Sequence, residues 1–300
     1  MNDSTTSNHY SFYVRQLARF LHDSSTIWNE FEETIKHKNR FFPQSPNIER
    51  ALEQLVKCST IIKSDMHFYR ARNMRMFPYD GFNYDGNRIW GYDQRNMAKP
   101  PKNIATAGRA NPQNIPYLYL ASNPQTACAE IRAELNDLIS VMEFCTIREI
   151  KVIDLIKFDW EKKDAFSLFF WKISEAFTKH CSIQNDTFYA PTQYIASFLA
   201  SQPDILGIKY PTARESSEES YNLVLFSDDC VKQMAPYANV YVCSDVKCTF
   251  EDINSTLPSI TGEASLGSSR TESSSIEILK KNIIGHLSKI DNSKADKGSD

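Results

Sequence analysis

The sequence predicts an α+β protein, because it combines helical and strand-like patterns within one chain. Apolar residues recur at helical spacing before residue 60, and short aromatic or β-branched runs typical of strands lie between residues 66 and 226. Two longer apolar runs, residues 165–180 and 190–201, have helical spacing. A chain of 300 residues with 41% hydrophobic content can bury a sizeable core.

Three helices are predicted before residue 60. The first two carry apolar stripes, with Tyr13, Leu17, Phe20 and Leu21 in one and Trp28, Phe31 and Ile35 in the other. The third begins with Ser45 as its cap and Pro46 in its first turn. We expect these helices to form a small lobe that packs on the rest of the chain.

The strands begin at residue 66, where "MHFYRAR" places Arg70 and Arg72 on one face. Residues 73–106 are rich in Gly, Pro, Asn and Asp and predict a long loop of the kind that often binds a ligand. Further strands are predicted at residues 117–121, 138–147, 150–156, 205–211 and 221–226. A helix capped by Asn123 follows the first of these, with Pro124 at its first position.

Two arginines and a glutamate are the candidates for chemistry. Arg70 and Arg109 flank the loop, and two guanidinium groups that converge on one site favour a phosphate or pyrophosphate ligand. Glu130 is set among small residues, and on a continuing helix it would share a face with Glu134 and Asp137. The alternative is structural, in which an arginine pairs with Glu130 and holds a loop.

Composition excludes several functional classes. A net charge of −3 argues against a general nucleic-acid binder, and no apolar run approaches the length of a membrane span. The polar N-terminus lacks the apolar core of a signal peptide, so we expect a cytoplasmic protein. Seven cysteines without a C-x-x-C pair predict free thiols and no metal site. No histidine has the spacing of a hydrolase triad, and no P-loop is present.

The C-terminal part has a different composition. Residues 254–275 are rich in Ser and Thr and predict a flexible linker. An amphipathic helix follows, with one apolar stripe formed by Ile276, Leu279, Ile283, Leu287 and Ile290. Such a helix would dock on its own domain, on a second copy of the chain or on a partner protein.

The motifs "FYRAR", "GRANPQNIPYLYLA", "TACAEIR", "PTQYIASFLAS", "GIKYPT" and "YNLVLF" occur in this order between Phe68 and Phe226. This set resembles the RES domain family, and "WNEF…IKHKNRFF" resembles the N-terminal extension of its longer members. The resemblance implies a split, mainly antiparallel sheet similar to that of ADP-ribosyltransferases, with helices around an NAD-binding cleft. It divides the chain into a helical extension (1–64), the RES domain (65–250) and a linker with a short helix (251–300).

The resemblance also implies a function. Characterised members are toxins of toxin–antitoxin pairs that degrade NAD by hydrolysis or phosphorolysis, and some transfer ADP-ribose to a target. NAD is then the substrate, no metal is expected, and an antitoxin protein or a second copy of the chain are the expected partners. Neither a membrane nor direct nucleic-acid binding is expected. An ADP-ribosyltransferase and an inactive binding module are the alternatives.

The family's functional positions map onto this chain one by one. Arg70 and Arg109 match its two arginines and Glu130 its acidic residue, whereas Thr212 stands where the family has a serine. The family's aromatic position falls on Tyr92 or Tyr79, of which Tyr92 is preferred, and Tyr119 joins the expected NAD-binding set. Thr212 keeps a hydroxyl but adds a methyl group that stiffens its side chain.

These assignments lead to a hypothesis for the site. Arg109 and Arg70 would bind the phosphates or the nicotinamide side of NAD, Glu130 would stabilise positive charge on the ribose, and Thr212 would orient the ribose or carboxamide. Tyr92 would stack on the nicotinamide. A plain salt bridge between Arg109 and Glu130 would contradict this division of roles.

Overall fold

The chain folds around one mainly antiparallel sheet with helices packed on it. A computed structural model describes residues 27–43, 45–74, 83–84, 89–156, 165–179, 187–212 and 219–246. Two predicted helices, in residues 10–22 and 276–290, and the linker at 254–275 lie outside the described residues. The described part up to Asp245 belongs to one unit by its internal contacts.

The strands are short, and six of the eleven described coincide with predicted apolar runs; the strands at 59–62, 83–84, 89–90, 231–233 and 239–242 were not predicted. They are β1 Ser59–Ile62, β2 His67–Asn73, β3 Asn83–Tyr84, β4 Ile89–Trp90, β5 Leu118–Ala121, β6 Leu138–Thr146, β7 Ile150–Asp154, β8 Gly207–Pro211, β9 Tyr221–Leu225, β10 Val231–Gln233 and β11 Asn239–Val242. β3 and β4 form a separate two-stranded ribbon, and the other strands form the main sheet. The predicted α+β class with a mainly antiparallel sheet is confirmed.

Most helices match their sequence signals, but two short helical segments, 94–97 and 102–104, lie within the predicted loop at 73–106. Residues 27–33 are helical and continue into a wider π-helical turn at Thr34–Lys38. The others are α1 Pro46–Lys57, α2 Gln94–Met97, a 3₁₀ turn at Lys102–Ile104, α3 Pro124–Glu130, α4 Ala165–Thr178 and α5 Ala190–Ala200. Asn123 caps α3 as predicted, because its Oδ1 accepts a hydrogen bond from the Thr126 amide at 2.7 Å. Ser45 precedes α1 but its side chain makes no cap hydrogen bond.

The order of strands in the main sheet is β1-β7-β8-β9-β5-β2-β6-β10, and β11 also pairs with β6. β7 and β8 are parallel, whereas the other pairs are antiparallel. A parallel pair needs a long crossover, and the chain between β7 and β8 contains α4 and α5.

The sheet is nearly divided between β5 and β2. These neighbours share one register pair, Tyr69 with Ala121. On either side the pairing is extensive, with seven register pairs between β2 and β6 and four between β5 and β9. The sheet therefore consists of two well-paired halves that meet along a weak seam.

Side-chain alternation separates the two faces of the sheet. Leu118, Leu120, Leu223 and Leu225 pack into a cluster on one face. The opposite face carries two further clusters, one under α4, α5 and the N-terminal helices, and a smaller one under α3 around Ala71 and neighbouring residues. The polar residues of the candidate site lie between those two clusters.

The structure corrects two expectations. β1 lies within the segment that was expected to be helical, because "STII" is β-branched and pairs in register with β7. The helix after Pro124 ends at Glu130, so Glu134 and Asp137 do not continue a helical face. Beyond that end, Arg132 and Asn136 have positive φ angles of 52° and 68°, which a helix does not accommodate.

The N-terminal helices share their core with the sheet domain. Phe31 is fully buried, and its ring contacts those of Trp28, Phe169 and Tyr194 at centroid distances of 5.6, 6.0 and 5.8 Å. None of the described helices is long and apolar enough to cross a membrane.

We expect Phe31→Ala to lower the free energy of unfolding by about 3–5 kcal/mol, because it leaves a cavity among three aromatic rings. The matched control is Phe41→Ala, since Phe41 is 75% exposed and should change stability by less than about 0.5 kcal/mol. Urea unfolding of the full chain measures both. Equal effects of the two substitutions would show that the N-terminal helix is not part of the core.

Candidate active site

A cavity of about 430 Å³ opens at the seam between β5 and β2. Its walls come from both strands, from α3, from the turn before β5 and from the neighbouring strands β8 and β9. The lining residues are Tyr69, Arg70, Ala71, Ala107, Gly108, Arg109, Tyr119, Leu120, Ala121, Ala127, Glu130, Ile131, Tyr189, Tyr210 and Asn222. The volume lies in the range of small-molecule sites.

Glu130 is the acidic residue of this cavity, and three side chains from three different elements bind its carboxylate. Oε1 accepts hydrogen bonds from Asn222 Nδ2 at 2.7 Å and from Thr212 Oγ1 at 2.8 Å. Oε2 lies 3.3 Å from Arg109 Nη1. The two charged side chains are mostly buried, with 13% of Arg109 and 19% of Glu130 exposed. The helix end, the turn, β9 and the residue that follows β8 thus meet at one carboxylate.

Side chains from α5 and β5 hold the turn that carries Arg109 by hydrogen bonds. The Thr192 hydroxyl at the start of α5 donates to the Arg109 carbonyl oxygen at 2.6 Å. The Tyr119 hydroxyl accepts from the Ala110 amide at 3.0 Å and donates to Asn111 Oδ1 at 2.7 Å. A β-carbon on Gly108 would lie 2.6 Å from Asn111 Oδ1 and 2.7 Å from that hydroxyl, so any larger residue there would displace one or both of these side chains.

The surroundings keep both members of the ion pair charged. Burial raises the pKa of Glu130, but the hydrogen bond from Asn222, the charge of Arg109 and the hydrogen bond from Thr212 outweigh it and lower that pKa below its usual value. Burial lowers the pKa of Arg109, whereas the hydroxyl of Tyr210 and the Glu130 carboxylate raise it, with a net increase. Burial raises the pKa of Tyr210 to about 12, so its hydroxyl stays protonated at neutral pH.

Arg70 has a different set of partners. Its Nη1 donates to the carbonyl oxygens of Met97 at 3.2 Å and Ala98 at 2.5 Å. Within the described ranges no carboxylate forms an ion pair with it, and burial together with the nearby charge of Arg72 lowers the pKa of Arg70 to about 10. Arg72 donates to the Asn96 carbonyl oxygen, so both arginines of β2 hold the segment around α2. Arg70 therefore remains a cation at neutral pH.

The predicted convergence of Arg70 and Arg109 on one anion is not formed in this arrangement. Arg109 pairs with Glu130, which is the contact that would contradict a phosphate-binding role for Arg109. The pair is not isolated, since Thr212 and Asn222 bind the same carboxylate.

Three other predicted residues have distinct positions. Tyr119 lines the cavity and anchors the arginine turn. Thr212 is buried, and its hydroxyl binds Glu130. Tyr92 is not among the residues that line this cavity; it packs in the cluster on the opposite face, 5.6 Å from the Arg72 guanidinium. Tyr79 lies outside the described residues.

Sequence reasoning missed four lining residues with polar side chains: Tyr69, Tyr189, Tyr210 and Asn222. Asn222 had a usable signal, because it is a polar residue in the apolar strand "YNLVLF" and burial of an unpaired amide is unfavourable. The tyrosines had no such signal, since aromatic residues on strands are common in cores.

Comparison of the sequence with protein-family models assigns this chain to a family. The RES domain model matches residues 67–246, which is more than half of the chain. The chain belongs to the RES domain family. A search of curated proteins found none with significant similarity to it. Membership indicates a toxin-like domain that acts on NAD.

In this RES domain the three charged residues that the sequence singled out, Arg70, Arg109 and Glu130, all line one cavity. The hydroxyl of Thr212, the residue expected in place of a serine, lies 2.8 Å from Glu130 Oε1. Among the described residues, no group of three or more His, Cys, Asp or Glu side chains is arranged to hold a metal ion.

The lowered pKa of Glu130 predicts a pH-dependent contribution to stability. A group whose pKa is lower in the folded state stabilises that state above its unfolded pKa and loses this effect as pH falls through the folded pKa. We therefore expect Glu130→Gln to destabilise the protein at neutral pH and to differ less from the wild type below about pH 4. Urea unfolding at a series of pH values measures the difference, and a constant difference across the series would contradict the assigned ionisation.

Proposed function

We propose that this RES domain cleaves the bond between nicotinamide and ribose in NAD and transfers the ADP-ribosyl group to water or phosphate. The observation that carries the proposal is a largely buried Glu130, with a pKa held below its usual value, on the wall of a cavity that Arg70 also lines. Family membership supports NAD as the substrate.

The chemistry requires little more than a well-placed negative charge. The carbon–nitrogen bond breaks with its electron pair retained by nicotinamide, which leaves as a neutral molecule without a proton donor. Positive charge then develops on the ribose, as in glycoside cleavage. A fixed carboxylate stabilises this charge more strongly in a closed site than in water. When water attacks, its proton passes to Glu130 or to solvent.

The contacts in the cavity support a division of roles between the arginines. Arg70 has no carboxylate partner in the described part of the chain, so we assign it to the diphosphate of NAD. Arg109 is assigned to Glu130, which it holds in the ionised state. This replaces the role in phosphate binding that the sequence suggested for Arg109.

Family membership also supports a proposal for the partner. RES domains act in toxin–antitoxin pairs, so we propose an antitoxin protein that blocks this cavity in a cytoplasmic complex. Such a partner would protect the host from loss of NAD.

The first test measures NAD consumption by the purified full-length protein, with and without phosphate. We expect Glu130→Gln to reduce turnover about 100-fold or more, because the charge that faces the ribose is lost. Glu134→Gln is the matched control, since Glu134 is an exposed glutamate four residues further along the chain and should leave turnover unchanged.

The products identify the acceptor. Free ADP-ribose indicates hydrolysis, ADP-ribose phosphate indicates phosphorolysis, and a labelled macromolecule in cell extract indicates ADP-ribosyl transfer instead. A folded wild type that neither consumes NAD nor labels a target would contradict the proposal and favour an inactive binding module.

A pair of substitutions tests whether the hydroxyl of Thr212 serves in place of the serine expected from the family. Thr212→Ser keeps the hydrogen bond to Glu130 and should retain turnover within about threefold, whereas Thr212→Val keeps the shape and removes the hydroxyl. We expect Thr212→Val to lower kcat/KM about tenfold, the effect of one lost hydrogen bond to a charged group. Steady-state kinetics with NAD measures both, and equal activity of the two variants would remove Thr212 from the site.

A further inference from the structure

We propose that Asn222 is a positioning residue, whose side-chain amide fixes Glu130 Oε1 so that Oε2 is the oxygen presented to the substrate. The inference rests on the proposed function and adds to it a residue outside the family's arginine, glutamate and serine positions. Asn222 lies on β9, is 4% exposed, and donates from Nδ2 to Oε1 at 2.7 Å. Its neighbours along the strand, Leu223 and Val224, are apolar and fully buried.

The two oxygens of the Glu130 carboxylate have different surroundings. Oε1 accepts two short hydrogen bonds from neutral donors, Asn222 at 2.7 Å and Thr212 at 2.8 Å. Oε2 has the longer contact of 3.3 Å with Arg109. Since a carboxylate oxygen accepts about two hydrogen bonds, Oε1 is saturated and Oε2 retains capacity to face a cation or accept a proton.

The position of Asn222 in the sheet suits it to this role. Its register partners are Ala121 on β5 and Tyr210 on β8, so strands on both sides support its backbone. Ala121 and Tyr210 themselves line the cavity. A donor on a paired strand holds a carboxylate more accurately than a donor on a loop, and Thr212 lies just after the end of β8.

An amide has a further advantage over an acid at this position. Asparagine donates a hydrogen bond at every pH, whereas an aspartate 2.7 Å from Glu130 would repel it, and the pair would retain a proton. The other ionisable groups around the pair are Arg109, Tyr210 on β8 and Tyr189 before α5. The positive charge of Arg109 favours ionisation of the carboxylate.

The experiment compares Asn222→Asp and Asn222→Ala with the wild type and with Asn239→Asp, which adds the same charge on an exposed strand. Two quantities are measured on each full-length protein: the pH dependence of kcat and KM for NAD, and the pKa of Glu130 by carbon-13 NMR of labelled glutamate. Circular dichroism and thermal melting establish that each variant is folded.

We expect Asn222→Asp to shift the acid limb of the kcat profile upward by about one pH unit or more, with a matching rise in the NMR titration. Asn222→Ala should lower kcat about tenfold with KM changed less than about threefold, because the charge remains but its orientation is lost. Asn239→Asp should behave as the wild type. A merely structural asparagine would change melting temperature without moving the pH profile.

The two readouts separate this inference from the proposed function. If the folded wild type does not consume NAD, the proposed function fails, and the titration of Glu130 alone decides whether Asn222 controls the carboxylate. If Asn222→Asp does not fold, the Glu130 pKa measured in Asn222→Ala decides whether Asn222 controls the carboxylate. An unchanged Glu130 pKa in every folded variant at position 222 would overturn the inference.

Discussion

The buried carboxylate of Glu130 is the interaction on which the rest of this site depends. It receives donors from a turn, from the segment after β8 and from β9, while its own backbone ends α3. Without those donors, burial alone would raise the pKa of this carboxylate above its usual value. The contacts that position the helix, the turn and the strands therefore also keep the Glu130 carboxylate ionised.

The sheet supplies the space that this carboxylate needs. One face carries two separate apolar clusters, and the cavity lies in the gap between them at the seam of β5 and β2. A continuous core would have filled this gap with side chains. The small residues Ala71, Ala121 and Ala127 on its walls leave room for a ligand. Strand pairing and side-chain packing are therefore both reduced at the cavity where we expect the ligand to bind.

Much of the fold could be predicted from the sequence, because long apolar runs define strands and helices locally. The end of α3 could not be predicted, since it depends on positive φ angles at Arg132 and Asn136. The type of neither residue indicates such an angle. The site was predicted in part: Arg70, Arg109 and Glu130 do line one cavity. Which charges pair depends on the three-dimensional distances, so the Arg109–Glu130 contact remained one of two open alternatives until the structure placed them.

The seam between β5 and β2 has a mechanical consequence. Separation of the two halves of the sheet there would disrupt the pairing of Tyr69 with Ala121 alone, while seven pairs between β2 and β6 and four between β5 and β9 stay intact. Few backbone hydrogen bonds oppose such a separation, so side-chain packing across the seam carries most of the cohesion between the halves. The rings of Phe68 and Tyr221, 6.5 Å apart between centroids, are one such contact.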